Sequence, residues 1–228
     1  MALTVSAIIP VYNEESTLGE HLKHLADAGV DEMVVVDGSS TDRTLEVAAS
    51  WTGVRFLRTS ACRALQMNAG AQASAGDVLL FLHADARLGS GAVPALRDAM
   101  SNPGVPGGNF DIRYEGRDFA AACFTSINRR RRRWGIFYGD SGIFCRRSVL
   151  EALGGFRPWP ILEDYDFARR LWKLGNLAFL NEPIYLSDRR WRNHGVVSTL
   201  CSWVLIQGLY SVLGVSPHRL ARFYQAVR

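Results

Sequence analysis

The stretch VLLFLHADARL, Val78 to Leu88, decides how this chain folds. It opens on five consecutive apolar residues, a run that reads as a strand buried on both faces, as in a parallel sheet. Instead of stopping at a turn glycine, the run continues into His83, Ala84 and Asp85. An acid at that point either caps whatever follows or faces the crevice outside the carboxyl end of a parallel strand, where open α/β sheets bind their ligands.

Towards the N-terminus the same pattern repeats. SAIIPVY is a β-branched run stopped by Pro10, and NEESTLGEHLKHLADAG carries Leu18, Leu22 and Leu25 at helical spacing before Gly29. EMVVVDG is a second buried strand, after which Ser40 or Thr41 caps the helix TDRTLEVAAS. VRFLRTS is a third strand, ALQMNAGAQASAG a helix closed by Gly76, and DVLLFLHAD the fourth strand. Buried strands alternating with helices predict an α/β fold, with a mostly parallel central sheet and helices on both faces.

Towards the C-terminus the order loosens. GAVPALRDAM reads as a helix, and GGNFDIRY and YGDSGIFCRR read as strands around the insertion RDFAAACFTSINRRRRRW. EDYDFARRLWKLG is a helix with Phe167, Leu171 and Leu174 on one face, and NLAFLNEPIYL is a last strand or strand pair. Without repeat or linker, residues 1–228 read as one domain. Residues 1–88 form a nucleotide-type half, 89–188 a specialised acceptor and catalytic half, and 189–228 a helical tail.

Bulk properties narrow the function. An apolar fraction of 48% fits a globular chain, and a net charge of +4 from 26 basic and 22 acidic residues is too small to imply nucleic acid. Cys62, Cys123, Cys145 and Cys201 form no CxxC pair, which fits reduced thiols in a cytoplasmic enzyme. The N-terminus lacks a basic n-region, so no secretory signal is expected.

Three acidic points stand out: Asp37 ends strand two, Asp85 ends strand four, and Glu163 with Asp164 opens the late helix. Capping explains each singly, but together they suit a crevice in which a divalent cation and a ligand diphosphate compensate the charge. Asp164 is read as a general base, with Glu163 orienting the acceptor; Asp166 falls on another helix face and pairs with Arg169 or Arg170.

Taken together, AIIPVYNEE, VVVDGSSTDRT, RALQMNAGAQASAGDVLLFLHAD and LEDYDFARRL resemble, in order and spacing, the inverting family 2 glycosyltransferases with the GT-A fold. HADARL, YGDSGIFCRRSVLEALGGF and RRWRNHGVVSTL look closest to a bacterial arsenosugar-biosynthesis-type subgroup. The resemblance implies a UDP- or GDP-sugar donor. Pro10, Tyr12, Glu14, Asp37, Arg63, Asn68 and Ala84 would lie around the nucleotide, with Asp37 accepting from a base N–H. Asp85 is the last acid of a DxD metal motif whose first position here is His83, so one carboxylate is missing; Mg²⁺ or Mn²⁺ is the expected ion. His83, Asp140, Trp191 and Arg192 would line the donor or acceptor sugar pocket. The reaction implied is a single inverting displacement, with Asp164 deprotonating the acceptor.

Two stretches remain open. Arg129 to Arg133 followed by Trp134 reads as a solvated loop, a lid over the diphosphate, or a contact with anionic lipid. Val196 to Val215 is uncharged but interrupted by Ser198, Thr199, Ser202, Gln207 and Ser211. It reads first as a helix packed on the domain or forming a homodimer, then as an interfacial helix at the inner face of a membrane, and last as a span. The acceptor is accordingly a small molecule or a lipid-linked group. The competing functions are an inactive sugar-nucleotide-binding or scaffolding protein of the same fold, and a nucleotidyltransferase, whose glycine-rich phosphate loop PVYNEES lacks.

Overall fold

A computed structural model describes residues 3–116, 119–187 and 196–222, with side chains in the last segment from 204 onward. Eight strands form one sheet in the order β3-β2-β1-β4-β7-β6-β8-β5. They are β1 (Val5–Val11), β2 (Glu32–Asp37), β3 (Val54–Arg58), β4 (Val78–Phe81), β5 (Arg87–Leu88), β6 (Gly107–Tyr114), β7 (Phe144–Arg146) and β8 (Ala178–Leu186). The helices are α1 (Leu18–Ala28), α2 (Thr44–Ala49), α3 (Arg63–Ala73), α4 (Ala92–Ser101), α5 (Phe119–Arg131), α6 (Arg147–Ala152), α7 (Glu163–Trp172), α8 (Val196–Ser211) and α9 (Pro217–Leu220).

The period-2 alternation of β1 divides the core. Val5, Ala7, Ile9 and Val11 pack with Leu18, Leu22 and Leu25 of α1 and with Leu96 and Met100 of α4. Ile8 points the other way, into Met67 and Ala71 of α3 and Phe167 and Leu171 of α7. Both faces of the sheet are thus covered by helices. β3, β2, β1 and β4 are mutually parallel, as are β6 and β8. β7 runs antiparallel to both β4 and β6, and β5 antiparallel to β8. This reversal at β4–β7 carries the second half of the chain to the edge where the first four strands end.

Several local expectations are corrected. Pro10 does not stop the first strand, which continues to Val11. The Ile8 carbonyl accepts from the Leu82 N–H, so even-numbered residues of β1 turn their backbone toward β4. Pro10 lies past the end of β4, where its missing donor costs no ladder bond. The fourth strand ends at Phe81 rather than Asp85. His83 to Ala86 form a turn closed by the Ala86 N–H on the His83 carbonyl, 3.1 Å.

Neither Ser40 nor Thr41 caps α2; the Asp42 Oδ1 accepts from the Thr44 N–H instead, 3.0 Å. α3 ends at Ala73, and Gly76 serves as a close approach whose N–H donates to Ser6 Oγ. Of YGDSGIFCRR only Phe144–Arg146 is strand, because Gly139–Ser141 curls into a 3-10 turn. α7 stops at Trp172, leaving Leu174 exposed. The basic run continues helix α5 and a following 3-10 turn, Arg132–Trp134. Arg129 forks onto the buried Asp111, and Arg132 is buried behind it.

Candidate functional site

The carboxyl ends of β1, β2 and β4 leave the sheet along one edge, with β1 in the middle. Asp37, the last residue of β2, is fully buried. The Ser40 N–H donates to both its oxygens at 3.1 Å, and Arg58 Nε, from the end of β3, lies 3.4 Å from Oδ2. The loops after β1 and β2 are stitched together around it. The Asn13 N–H donates to Ser40 Oγ (2.9 Å), and the Thr41 N–H donates back to Asn13 Oδ1 (2.9 Å). The Glu14 N–H donates to Thr44 Oγ1 (2.8 Å), and the Arg43 N–H to Glu15 Oε2 (2.9 Å). Asn13 and Ser39 adopt left-handed backbone, φ 53° and 68°, a region asparagine tolerates better than most residues.

Pro10 and Tyr12 border this rim half-buried. The carboxylate of Glu14 accepts from the Thr17 hydroxyl (2.6 Å), organising the start of α1. Asn68 spends both ends of its amide on Phe156, accepting from its N–H at 2.9 Å and donating to its carbonyl at 2.8 Å. It clamps α3 to the loop before α7. Gln66, which sequence reasoning missed, donates to the carbonyls of Val11 and Val36 at 2.8 Å and pins α3 to the ends of β1 and β2.

The second corner is built around α7. Leu162, immediately before it, sits at φ 63°, a costly conformation for a large side chain. That turn aims Glu163 and Asp164 inward at the helix N-terminus, where the dipole favours negative charge. Asp164 is 7% exposed. Its Oδ2 accepts from the Gly139 N–H (2.8 Å), and its Oδ1 from the Tyr165 N–H (2.7 Å). A Cβ placed on Gly139 would lie 3.1 Å from Asp164 Oδ2 and 3.1 Å from His83 Nε2, so glycine here lets both groups close on the same point. Asp140 follows in the same 3-10 turn.

Glu163 is almost fully buried and forms an ion pair with Arg63, one hundred residues earlier at the start of α3. Burial pushes its carboxyl above the ordinary range; Arg63 opposes this, and the adjacent Asp164 adds to it. Its Oε2 has no hydrogen-bond partner. Glu163 thus ties the start of α3 to the start of α7. Asp166 points elsewhere and pairs with Arg170 (2.8 Å) and Arg157 (3.0 Å).

His83 to Asp85 lie between the two corners, with Ala84 buried, His83 half-buried and Asp85 exposed. α1 supports this turn from below. His24 Nε2 lies 2.7 Å from the Leu88 carbonyl, and His21 is buried beside Ala86, its pKa lowered to about 4 chiefly by burial. Among the described residues no group of three or more His, Cys, Asp or Glu is arranged for a metal. The donor set at the turn is one exposed carboxylate with an imidazole nearby. That set fits a hard cation completed by ligand phosphates, and does not fit an all-protein metal cage.

The structure therefore brings His83, Gly139 and Asp164 together and sets Asp37 two strands away along the same edge. Glu14, Asn68 and Glu163 are engaged with the protein itself. Trp191 and Arg192 lie outside the described residues. Gly139, Leu162, Gln66 and Tyr138 had no clear sequence signal beyond the glycines flanking GDSG. Tyr138 stacks on Tyr165 (ring centroids 5.2 Å), and its hydroxyl donates to Gln207 of α8 (2.7 Å). Tyr210 of α8 packs edge-on to Tyr165 and Trp159. The tail helix is thereby docked on the domain beside Asp164. No helix of the described residues is long and apolar enough to cross a membrane.

The model of the family described as Glycosyl transferase family 2 matches residues 6–154. An undecaprenyl-phosphate 4-deoxy-4-formamido-L-arabinose transferase of Pseudomonas aeruginosa is 32% identical over 168 residues, covering 65% of this chain and 49% of that protein. A dolichol-phosphate mannosyltransferase of Pyrococcus furiosus is 33% identical over 108 residues, 44% of this chain and 31% of the relative. The chain thus spans about half the length, or less, of these curated relatives. In structure it resembles the mannosyltransferase PcManGT from Pyrobaculum calidifontis in complex with GDP-Man and Mn²⁺, with a TM-score of 0.68 and 20% identity over 95% of this chain and 66% of the other. S. aureus TarS 1-349 in complex with UDP-GlcNAc gives 0.69 and 16% over 96% of this chain and 69% of the other. These likenesses show the GT-A fold.

Proposed function

This chain belongs to glycosyl transferase family 2, and on that premise we propose that it is an inverting glycosyltransferase, moving a sugar from a nucleoside-diphosphate donor to an acceptor hydroxyl or phosphate. The observation that carries this reading is the Asp164 carboxylate, fixed by two backbone N–H groups beside His83 at the edge where β1, β2 and β4 end. Names of relatives point the same way: structural neighbours hold GDP-Man or UDP-GlcNAc, and the Pseudomonas relative is named for a lipid phosphate. Within the family we assign the chain to the arsenosugar-biosynthesis-type group on HADARL, YGDSGIFCRRSVLEALGGF and RRWRNHGVVSTL.

In this reaction the rim of Asn13, Asp37 and Ser40, with Pro10 and Tyr12, receives the nucleoside, and Arg63 stands near the diphosphate. For a hydroxyl acceptor, Asp164 takes the proton as the oxygen bonds to the anomeric carbon; the bond from that carbon to the diphosphate breaks on the opposite face, and the nucleoside diphosphate departs. Asp85 would hold Mg²⁺ or Mn²⁺ together with the diphosphate oxygens, and a bound cation supplies charge neutralisation for the leaving group. His83 and Asp140 line the sugar pocket. Glu163 and Asn68 keep α3 and α7 aligned around it.

The test is a panel of UDP- and GDP-sugars with Mn²⁺ or Mg²⁺, reading donor binding and the product released. Nucleoside diphosphate release supports the proposal. Pyrophosphate release would mark a nucleotidyltransferase, and donor binding with no turnover under any acceptor would mark an inactive sugar-nucleotide-binding protein.

A further inference from the structure

Two helices leave apolar stripes uncovered on the outside of the molecule. α8 uses Gln207, Tyr210 and Ser211 to face Tyr138, Trp159 and Tyr165. Helical spacing then turns Leu205 to the opposite side. Leu205 is 60% and its neighbour Val204 69% exposed, and just past the helix Val212 is 81% and Leu213 69% exposed. On α5, Ala121, Phe124 and Asn128 face inward, which leaves Phe119, Ile127 and Arg130 sharing the outer stripe. Phe119 is 85% exposed, and Trp134, just beyond, 70%. Tyr138 links the two helices: the Arg131 guanidinium of α5 lies 4.8 Å over its ring, and its hydroxyl bonds to Gln207 of α8.

Charge singles out the occupant. Neither 119–138 nor 196–222 contains an Asp or Glu, whereas together they carry Arg129 to Arg133, His218, Arg219 and Arg222. Arg129 and Arg132 turn inward to Asp111, while Arg130 and Arg133 stay exposed beside Trp134. A second copy docking on this face would meet like charge. An apolar patch bordered by arginines and an exposed tryptophan matches the boundary layer of a bilayer with anionic headgroups. At sixteen residues α8 is about 24 Å long, short of the roughly 30 Å hydrocarbon core, so it suits lying on a bilayer rather than crossing one.

We propose that the outer faces of α5 and α8 dock this protein onto an anionic membrane surface. Docking is independent of the sugar-transfer reading, because no residue on this face belongs to the proposed site. The test is flotation of the full chain with vesicles of phosphatidylcholine alone or with one third phosphatidylglycerol, at low and high salt. Binding to the phosphatidylglycerol vesicles is expected to weaken at least tenfold in high salt and on pure phosphatidylcholine. The combined variant Leu205→Glu/Val212→Glu, and separately Arg130→Glu/Arg133→Glu, should each weaken it at least tenfold with circular dichroism unchanged. Absence of binding to anionic vesicles, or binding that both variants retain, overturns the proposal. So does a dimer, seen by analytical ultracentrifugation, that Leu205→Glu/Val212→Glu dissolves while vesicle binding is absent.

Discussion

The two corners of the site are built on opposite plans. Around Asp37 the partners come from neighbouring loops: Asn13 and Glu14 bind Ser40, Thr41 and Thr44 across gaps of 27 to 30 residues, after parallel strands laid side by side. Around Asp164 one partner, the Tyr165 N–H, is local, and the other groups come from separate elements. Gly139 arrives from a turn before an antiparallel strand, His83 from beyond β4, and Arg63 reaches Glu163 from one hundred residues away. The first corner is a rim that local chemistry can assemble. The second exists only when the whole sheet is in register.

The largest expected effect separates the corners directly. Asp164→Asn should lower transfer to a hydroxyl acceptor by about 10³-fold, within the range for removing a general base, while calorimetric affinity for the nucleoside diphosphate stays within about twofold. If affinity falls in parallel with rate, the corners are not separable.

Acidification should come next. His21 is held neutral, with a folded pKa of about 4 against an ordinary 6.5. Between these values the unfolded chain binds the extra proton, so stability falls as pH drops from 6.5 toward 4, by roughly 3 kcal/mol in all. Denaturation at pH 7 and pH 4.5 should show this loss, reduced in His21→Leu. An unchanged pH slope in that variant would mean the turn at His83–Ala86 is not supported as described.

Gly139→Ala sharpens the contrast further. The new methyl would press on both Asp164 and His83, so kcat should fall about ten- to hundredfold, since small misplacement of reacting groups is costly, with nucleotide affinity unchanged. The smallest effect concerns the tie between the corners. Arg63 is 40% exposed, so a double-mutant cycle of Arg63→Met with Glu163→Gln should give about 1 kcal/mol of coupling, measured by chemical denaturation.

The same contrast explains what could be read beforehand. The first four strands, Asp37 at the end of the second, and the helix of Leu18, Leu22 and Leu25 were legible because continuous apolar runs and period-3.6 patterns report burial locally. The end of β4 at Phe81 was not, since an apolar residue such as Leu82 continues the pattern whether or not a partner strand is present. The tie from Glu163 to Arg63 was not legible, because adjacent acids at a helix start carry no record of a distant arginine. Asn68 reads as lying around the nucleotide and Gln66 carries no signal, and only packing reveals that each closes a gap between elements. The bent start of α7 at Leu162 left no trace, because left-handed backbone at a leucine is imposed by its surroundings.

One feature of the second corner bears on redesign. The tether on Asp164 Oδ2 is a peptide N–H, that of Gly139, and no codon change can delete a main-chain donor short of proline. Asp140 could therefore be exchanged to reshape the proposed sugar pocket while the carboxylate keeps its anchor, so long as Gly139 is left alone.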